Sequence, residues 1–134
     1  MENTNDTPTI EDTNNELDAV AVTENNSVSI NLANYFSDAD GDAASNLQIT
    51  TDPSATGPDG AAIGSLSVNG TTITYTVNND SLVGGTSYPD TIQFTLSDGT
   101  TATAVETVTF DITGENDAPT FTTPGSLDTS VAEG

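Results

Sequence analysis

Apolar and polar residues alternate along most of this chain with a period of two, which is typical of β-strands that bury one face. The pattern predicts six such strands, and residues 17–22 are predicted to form a further strand at a sheet edge. No stretch shows a convincing helical period. The apolar sets are Val28, Ile30 and Leu32; Leu47 and Ile49; Leu66 and Val68; Ile73, Tyr75 and Val77; Ile92, Phe94 and Leu96; and Val108, Phe110 and Ile112.

The dipeptide Asn69-Gly70 stands between two of these runs and predicts a two-residue β-hairpin with a type I′ turn. In that register Val68 lies opposite Thr71, and Leu66 lies opposite Ile73. The apolar residues of both strands then share one face of the sheet.

The spacing of the strands determines the expected fold class. Short strands joined by polar turns, including an irregular connection rich in Gly and Pro over residues 52–64, are typical of all-β domains. We therefore expect an antiparallel Greek-key β-sandwich of about seven strands, of the cadherin or immunoglobulin-like kind.

Composition limits the chain to one modest core and restricts its partners. The 134 residues are 33% hydrophobic, contain no Cys, and carry 21 Asp and Glu against no Lys or Arg, which gives a formal net charge of −21. Because such a surface repels phosphate backbones and anionic lipids, we expect no nucleic acid partner and no direct membrane contact. Multivalent cations are the natural partners, and a metal cross-link would be useful in a module without disulfides.

The side chains that most enzymes depend on are missing. Without His, Cys, Lys or Arg, the serines have no base and no cation is available to hold a transferring phosphate. Paired carboxylates can hydrolyse glycosides, but nothing in the sequence suggests the deep cleft that such an enzyme requires. We therefore expect a protein that is not an enzyme.

An acidic cluster, Asp38-Ala39-Asp40-Gly41-Asp42, follows the apolar pair Tyr35 and Phe36 and is predicted to lie on a loop. Alternate carboxylates on a turn can converge on Ca²⁺, which takes about six to eight oxygen ligands. The cluster is not an EF-hand, because counting from Asp38 puts Ala43 at the glycine position and Ile49 at the glutamate position. A solvated turn is the alternative.

The sequence also contains a short internal repeat. Asn116-Asp117-Ala118-Pro119-Thr120 near one end resembles Asn5-Asp6-Thr7-Pro8-Thr9 near the other, as expected of a tandem array. We accordingly predict a linker over residues 1–16, one β-sandwich repeat over 17–114, and a linker with the first-strand start of the next repeat over 115–134. The N-terminal residues lack a signal-peptide pattern, and no apolar run approaches the ~20 residues of a membrane span, so we expect any export signal or anchor to lie elsewhere in a longer parent.

Four stretches in the same order resemble the cadherin-like repeats of large bacterial RTX-type surface adhesins, relatives of the VCBS and tandem-95 repeats. The resemblance covers most of residues 5–121. The stretches are Val22-Thr23-Glu24-Asn25, Phe36-Ser37-Asp38-Ala39-Asp40-Gly41, Phe94-Thr95-Leu96-Ser97-Asp98-Gly99 and Glu115-Asn116-Asp117-Ala118-Pro119-Thr120-Phe121.

The resemblance implies two calcium sites, one at each end of the repeat. At the upper end, the Asp-Ala-Asp loop and the Asp-x-Gly strand end face the preceding linker. At the lower end, the first-strand Glu faces the following linker, and the start of the sixth strand is a looser match. The implied upper ligands are Asn5, Asp6, Asp38, Asp40 and Asp98, and the implied lower ligands are Glu24, Glu115, Asn116 and Asp117, with Asp90 as the looser match.

The function implied is a structural spacer on the bacterial cell surface. Calcium would stiffen each junction between repeats and hold a distal binding region away from the cell, in adhesion or biofilm formation. Its partners would be the neighbouring repeats of the same chain, and an isolated repeat is expected to be monomeric. The alternative is a module that binds a glycan, a protein or another copy of itself through the loops over residues 52–64 and 81–89.

Overall fold

Nine β-strands form three sheets in the part of the chain that the computed structural model describes, residues 5–116. Two short 3-10 turns, Glu16–Asp18 and Leu32–Tyr35, accompany them, and no α-helix occurs in this range. The strands are β1 (Thr9–Ile10), β2 (Val20–Thr23), β3 (Ser27–Asn31), β4 (Phe36–Ser37), β5 (Asn46–Thr51), β6 (Gly64–Asn69), β7 (Thr72–Val77), β8 (Ser87–Ser97) and β9 (Glu106–Thr113).

The strands are arranged as an immunoglobulin-like sandwich, as predicted. A four-stranded sheet in the order β2-β9-β8-β5 and a three-stranded sheet in the order β3-β7-β6 make the two layers, and β1 pairs with β4. Every pair is antiparallel except β2 with β9, which is parallel. The all-β fold class is therefore confirmed.

The core lies where the alternating pattern puts it. Three inward apolar residues of β8 and three of β9 are fully buried, and the rings of Tyr75 and Phe110 stack with centroids 4.5 Å apart. Strand β7 contributes Ile73 and Val77 from the opposite layer. The fully buried residues of β8 and β9 are Ile92, Phe94, Leu96, Val108, Phe110 and Ile112.

The hairpin between β6 and β7 exists, but the predicted register is wrong. Val68 lies opposite Ile73 instead of Thr71, and Asn69 pairs with Thr72, so Gly70 and Thr71 form the two-residue loop. Of these two, only Gly70 has a positive φ, +63°, which is the signature of a type II′ turn and not of type I′. The apolar residues still share one face of the sheet. Each β6 residue lies opposite a β7 residue two positions further along than predicted, and residues two apart in a strand point to the same face.

The segment before β2 also differs from its prediction. The strand predicted over residues 17–22 is shortened at its start, because Glu16–Asp18 forms a 3-10 turn and β2 begins only at Val20. The Asp12 carboxylate accepts the N–H groups of Glu16 and Leu17 at 2.8 and 2.9 Å, which holds that turn. Side-chain capping of this kind is not visible in a hydrophobic pattern.

The segment predicted as the N-terminal linker lies against the sandwich. Pro8 is buried, and Thr9 and Ile10 pair with Ser37 and Phe36. Residues 5–16 therefore contribute a strand, β1, and their first residues reach the loop that follows β4. Among the described residues, no helix has the length and apolar character needed to cross a bilayer.

Candidate metal centre

A tight turn after β4 brings three carboxylates together. Gly41 adopts φ +80°, and its N–H donates to the Asp38 carbonyl at 3.0 Å, which closes the turn. The Asp40 N–H donates to Asp38 Oδ1 at 2.9 Å. As a result, one carboxylate oxygen from each of Asp38, Asp40 and Asp42 lies within 4.8 Å of the other two.

The N-terminal segment joins this cluster and connects it to the end of β8. The Asn5 amide donates to Asp98 Oδ2 at 2.9 Å and to Thr101 Oγ1 at 3.1 Å. The Asp6 backbone N–H donates to Asp40 Oδ2 at 2.6 Å. The structure thus brings together all five residues of the implied upper set at one end of the sandwich, which we call the upper end.

Asp98 is the most strongly held carboxylate of the upper end. Its Oδ1 accepts the N–H groups of Thr100 and Thr101, both at 2.8 Å, and Gly99 with φ +100° allows the chain to turn around it. The Thr101 N–H, the Asn5 amide and the Thr100 N–H hold the pKa of Asp98 well below its ordinary value. Asp98 is therefore a fixed negative charge at neutral pH.

Asp38 has the opposite tendency. The Asp40 N–H lowers its pKa, but desolvation and the neighbouring carboxylates of Asp98 and Asp42 together outweigh that donor, so the pKa of Asp38 is raised. Asp38 Oδ2 is buried, and no donor reaches it within the described residues. An ionised carboxylate beside Asp98 has no proton to share, so this oxygen lacks a compensating positive group.

The donor set at the upper end fits a hard divalent cation. The converging groups are carboxylate oxygens with one amide and one hydroxyl nearby, which Ca²⁺ prefers, and the buried Asp38 oxygen is unsatisfied without a cation. The sequence contains no Lys, Arg or His that could take that place. The residues present could therefore hold one or more calcium ions.

Glu24 occupies the opposite, lower end of the sandwich. Its side chain is fully buried, and Oε1 accepts the Glu115 N–H at 2.7 Å, while Oε2 is buried without a donor among the described residues. The backbone of Asn116 packs against Gly84. The structure therefore places Glu115 at the Glu24 carboxylate and Asn116 beside Gly84, whereas Asp117 lies outside the described residues.

Asp90 makes its hydrogen bonds inside the sandwich. It is 3% exposed, and its Oδ1 accepts the N–H groups of Ser54 and Ala55, each at 3.1 Å. Its Oδ2 accepts the Tyr75 hydroxyl at 2.6 Å, and burial followed by this hydrogen bond raises the pKa of Tyr75. With both oxygens accepting hydrogen bonds, Asp90 anchors the 52–63 connection.

Two residues at the upper end were not part of the predicted ligand set. The sequence allows Asp42 to be either a ligand or a turn residue, and the structure places it with Asp38 and Asp40. Thr101 was missed, although a hydroxyl three residues after a strand-ending Asp is a common turn partner.

A separate polar cavity of about 290 Å³ lies beside the first 3-10 turn and is lined by Glu11, Asp12, Thr13, Asn14, Glu16, Asn34 and Tyr35.

Comparisons with known proteins give one family. The model of the bacterial Ig domain matches residues 5–111. A comparison with curated proteins found no match. A solved structure, a nucleoside hydrolase-related hypothetical protein from Saccharophagus degradans that is associated with carbohydrate metabolism, is similar with 17% sequence identity and a TM-score of 0.44. That likeness covers 82% of this chain but only 26% of the other protein, and it is too low to transfer a fold or an activity.

Proposed function

Because the chain belongs to the bacterial Ig domain family, we propose that it is a calcium-stiffened spacer repeat of a bacterial surface adhesin. Bacterial Ig domains are non-enzymatic modules that commonly occur as extracellular repeats. The cadherin-like adhesin type, the calcium and the spacer role are the finer parts of the proposal. They rest on the acidic ends of the sandwich.

One observation carries the proposal. The N-terminal segment is tied to the upper end by the contact of Asn5 with Asp98 and the contact of Asp6 with Asp40. These pairs are 93 and 34 positions apart in the sequence, so only the fold joins them. A segment that leads into the domain therefore meets the acidic loop at the point where a cation would be held.

The ligands would act through charge neutralisation. Asp38, Asp40 and Asp98 would hold Ca²⁺ at the upper end, and Asn5 and Asp6 would complete its shell from the preceding segment. Without the ion, the carboxylates repel one another, and only their hydrogen bonds to Asn5 and Asp6 and the short β1–β4 pairing restrain the segment. With the ion, the segment and the sandwich share ligands, so the direction in which the chain enters the domain is restricted.

The affinity and concentration of calcium set how much its binding stabilises the folded domain. Extracellular calcium modules bind with a Kd of about 10⁻⁴ to 10⁻³ M. A site at tenfold excess of calcium over its Kd stabilises the fold by about 1.4 kcal/mol. For a domain of this size that corresponds to a rise in melting temperature of about 4–8 °C per site. Millimolar calcium outside the cell would therefore favour the stiff form.

Thermal unfolding in a calcium titration tests the proposal. The melting temperature of the 134-residue chain should rise between excess chelator and millimolar calcium, and Asp40→Asn should remove most of that rise. Asp52→Asn is the matched control, because Asp52 is an exposed carboxylate outside the cluster. No rise in the parent chain, or an equal loss in the Asp52 variant, would contradict the metal centre.

A further inference from the structure

Strand β6 forms one edge of the three-stranded sheet, and no other described strand pairs with the backbone groups of its outer side. The central strand β7 alternates between its neighbours: the Asn78 N–H donates to the Ile63 carbonyl on the β6 side, and the Val77 N–H donates to the Asn26 carbonyl on the β3 side, each at 2.9 Å. Bonded pairs alternate along an antiparallel ladder. In the observed register, the N–H and C=O groups that point away from β7 therefore belong to Gly64, Leu66 and Val68.

This edge lacks the features that usually block strand pairing. Proteins protect edge strands with charges, prolines, bulges or short length. Strand β6 runs for six residues in unbroken register with no charged residue and no Pro, in a chain with 21 carboxylates. By contrast, the edge strand β5 of the other layer has a register shift between Ile49 and Thr51, and its other edge strand, β2, has only four residues.

We propose that β6 is a pairing edge for a second copy of this chain, with the two β6 strands antiparallel about a two-fold axis at Leu66. In that register Gly64 lies opposite Val68 of the second copy, and Ser65 lies opposite Ser67 of the second copy. Each outward-facing residue then donates and accepts one backbone hydrogen bond. The two three-stranded sheets join into one continuous sheet.

The side chains of β6 favour a copy of itself over a charged peptide. The strand carries no carboxylate that could pair with Lys or Arg. A basic partner would therefore form no ion pair with β6 and would be attracted only by the net negative charge of the whole chain. The Val68 side chain is 46% exposed, and in the two-fold register it faces Gly64, which has no side chain to obstruct it. Two copies therefore meet without a charge opposite a charge.

Net charge keeps this pairing weak. Each chain carries −21, so repulsion opposes association, and calcium or salt should strengthen it. A contact along one edge strand is smaller than a standard interface, so we expect a dissociation constant of about 10⁻⁴ to 10⁻³ M. An isolated domain is then monomeric when dilute, while two arrays lying side by side in opposite directions, with many such edges, would pair through avidity. This lateral contact is independent of the spacer function, because it does not use the metal centre.

Proline substitutions test the edge. Val68→Pro removes an N–H that faces outward, so the β6–β7 ladder should remain and the far-ultraviolet circular dichroism should be unchanged. Sedimentation velocity over a concentration series in millimolar calcium should show dimers for the parent chain and at least a tenfold weaker association for Val68→Pro. Ser27→Pro is the matched control, because it removes an outward N–H at the start of the opposite edge strand, β3. A parent chain that stays monomeric up to millimolar concentration, or equal weakening by both prolines, overturns the proposal.

Cysteine cross-linking tests the register and remains informative if the proline variant fails to fold. The chain has no Cys, so Ser65→Cys and Ser67→Cys each introduce a single thiol. In the proposed register these two positions face each other across the copies at a distance that a disulfide can span, roughly 4.4–6.8 Å between Cα atoms. Mixing the two variants under mild oxidation should give at least fivefold more covalent dimer than either variant alone. Equal yields from the mixture and the single variants would overturn the two-fold register.

Discussion

Two carboxylates of the upper end respond in opposite ways to the same surroundings. Asp98 accepts donated N–H groups, which stabilise its charge, whereas Asp38 faces other carboxylates and has an oxygen with no donor among the described residues. The fold thus fixes one charge and disfavours the next one. A bound cation would satisfy both, and this makes the pair the most sensitive probe of the metal centre.

Replacing Asp38 should change the melting temperature without calcium and the calcium-induced rise in melting temperature in opposite directions. In excess chelator at pH 7, Asp38→Asn should raise the melting temperature, because it removes a carboxylate whose ionised form the fold disfavours. The same variant should lose most of the calcium-induced rise. Differential scanning calorimetry with and without calcium measures both effects, and a variant that is destabilised in chelator yet keeps the full calcium response would contradict this assignment.

Acid titration should distinguish the two residues. Since the pKa of Asp98 is lowered in the fold, its stabilising contribution is present above the ordinary value near 4 and is lost as the pH falls through the lower, folded value. The raised pKa of Asp38 acts in the opposite sense, because its cost disappears on protonation. In chelator, Asp98→Asn should therefore lose less stability than the parent chain between pH 5 and pH 2, as measured by urea unfolding. If Asp98→Asn and the parent chain lose the same stability between pH 5 and pH 2, this prediction is wrong.

At the scale of elements, hydrogen bonds made by two buried side chains, Asp90 and Asn79, hold the connection between β5 and β6. Asp90 accepts the N–H groups of Ser54 and Ala55, and the Asn79 amide donates to Asp59 and to the Ala61 carbonyl. The Asn79 hydrogen bond and the Ala61 N–H lower the pKa of Asp59. These contacts show how residues 52–63 are held, and they account for a buried carboxylate without invoking a ligand.

Removing the Asp90 anchor should cost stability but leave calcium binding unchanged. Asp90→Ala leaves the buried Tyr75 hydroxyl and two N–H groups without their acceptor, so we expect a loss of about 1–3 kcal/mol in the free energy of unfolding. The calcium-induced rise in melting temperature should persist. Asp80→Ala, at an exposed position, is the control, and a lost calcium response in the Asp90 variant would restore Asp90 as a ligand candidate.

The chain leaves the sandwich against a glycine loop. Gly85 donates to the Gly114 carbonyl and Gly114 donates to the Thr86 carbonyl, while Gly84 faces the backbone of Asn116. Together with the Glu24 carboxylate at the Glu115 N–H, these contacts set the direction in which residues 114–116 leave the domain.

Adding one methyl group to this loop should loosen the lower end. A Cβ at Gly84 would lie 2.8 Å from both the N and Cα atoms of Asn116, so Gly84→Ala should destabilise the fold by about 1–3 kcal/mol. It should also increase hydrogen exchange at the Glu115 amide. Gly85→Ala isolates backbone strain from crowding, since Gly85 has φ +77° but open space around its Cα. Slower exchange at Glu115 in the Gly84 variant would contradict the packing role.

At the scale of the whole molecule, charge is separated from the sheets. The described strands contain only Asp90, Glu106 and Asp111 as acidic residues, and the remaining carboxylates lie in loops, turns and the segments at the two ends. The sheet edges and faces are mostly Ser, Thr, Asn and Gln. Like charges thus accumulate in the loops and turns, and the described strands are left nearly neutral.

Salt should therefore stabilise the protein when calcium is absent. In excess chelator, raising NaCl from about 10 mM to about 500 mM shortens the Debye length from roughly 30 Å to a few ångströms and screens the repulsion within each end. The melting temperature should rise with salt in chelator and change much less in millimolar calcium. A fall in melting temperature with NaCl would show that attractive ion pairs dominate, which a chain without Lys or Arg does not supply.

The sequence by itself determined the features that depend on local geometry. Successive side chains of a strand point to opposite faces, so the alternation in residues such as Phe94 and Phe110 was enough to identify the core and the all-β class. The absence of cationic residues likewise fixed the electrostatic character, whatever the fold. The division of the acidic residues between two calcium sites rests on the resemblance to cadherin-like repeats and stays a prediction.

Only the tertiary structure decided the features that depend on partners distant in the sequence. The Asn69-Gly70 signal gave the hairpin but not its register, because the Gly70-Thr71 turn is chosen together with the β3 and β6 ladders on either side of β7. The same holds for Asp90, whose three donors come from two other segments. It holds also for Asp38, whose buried oxygen has no donor among the described residues and whose neighbour Asp98 is distant in the sequence. A residue type predicts which hydrogen bonds a side chain can make, but only the three-dimensional packing determines which groups are near enough to make them.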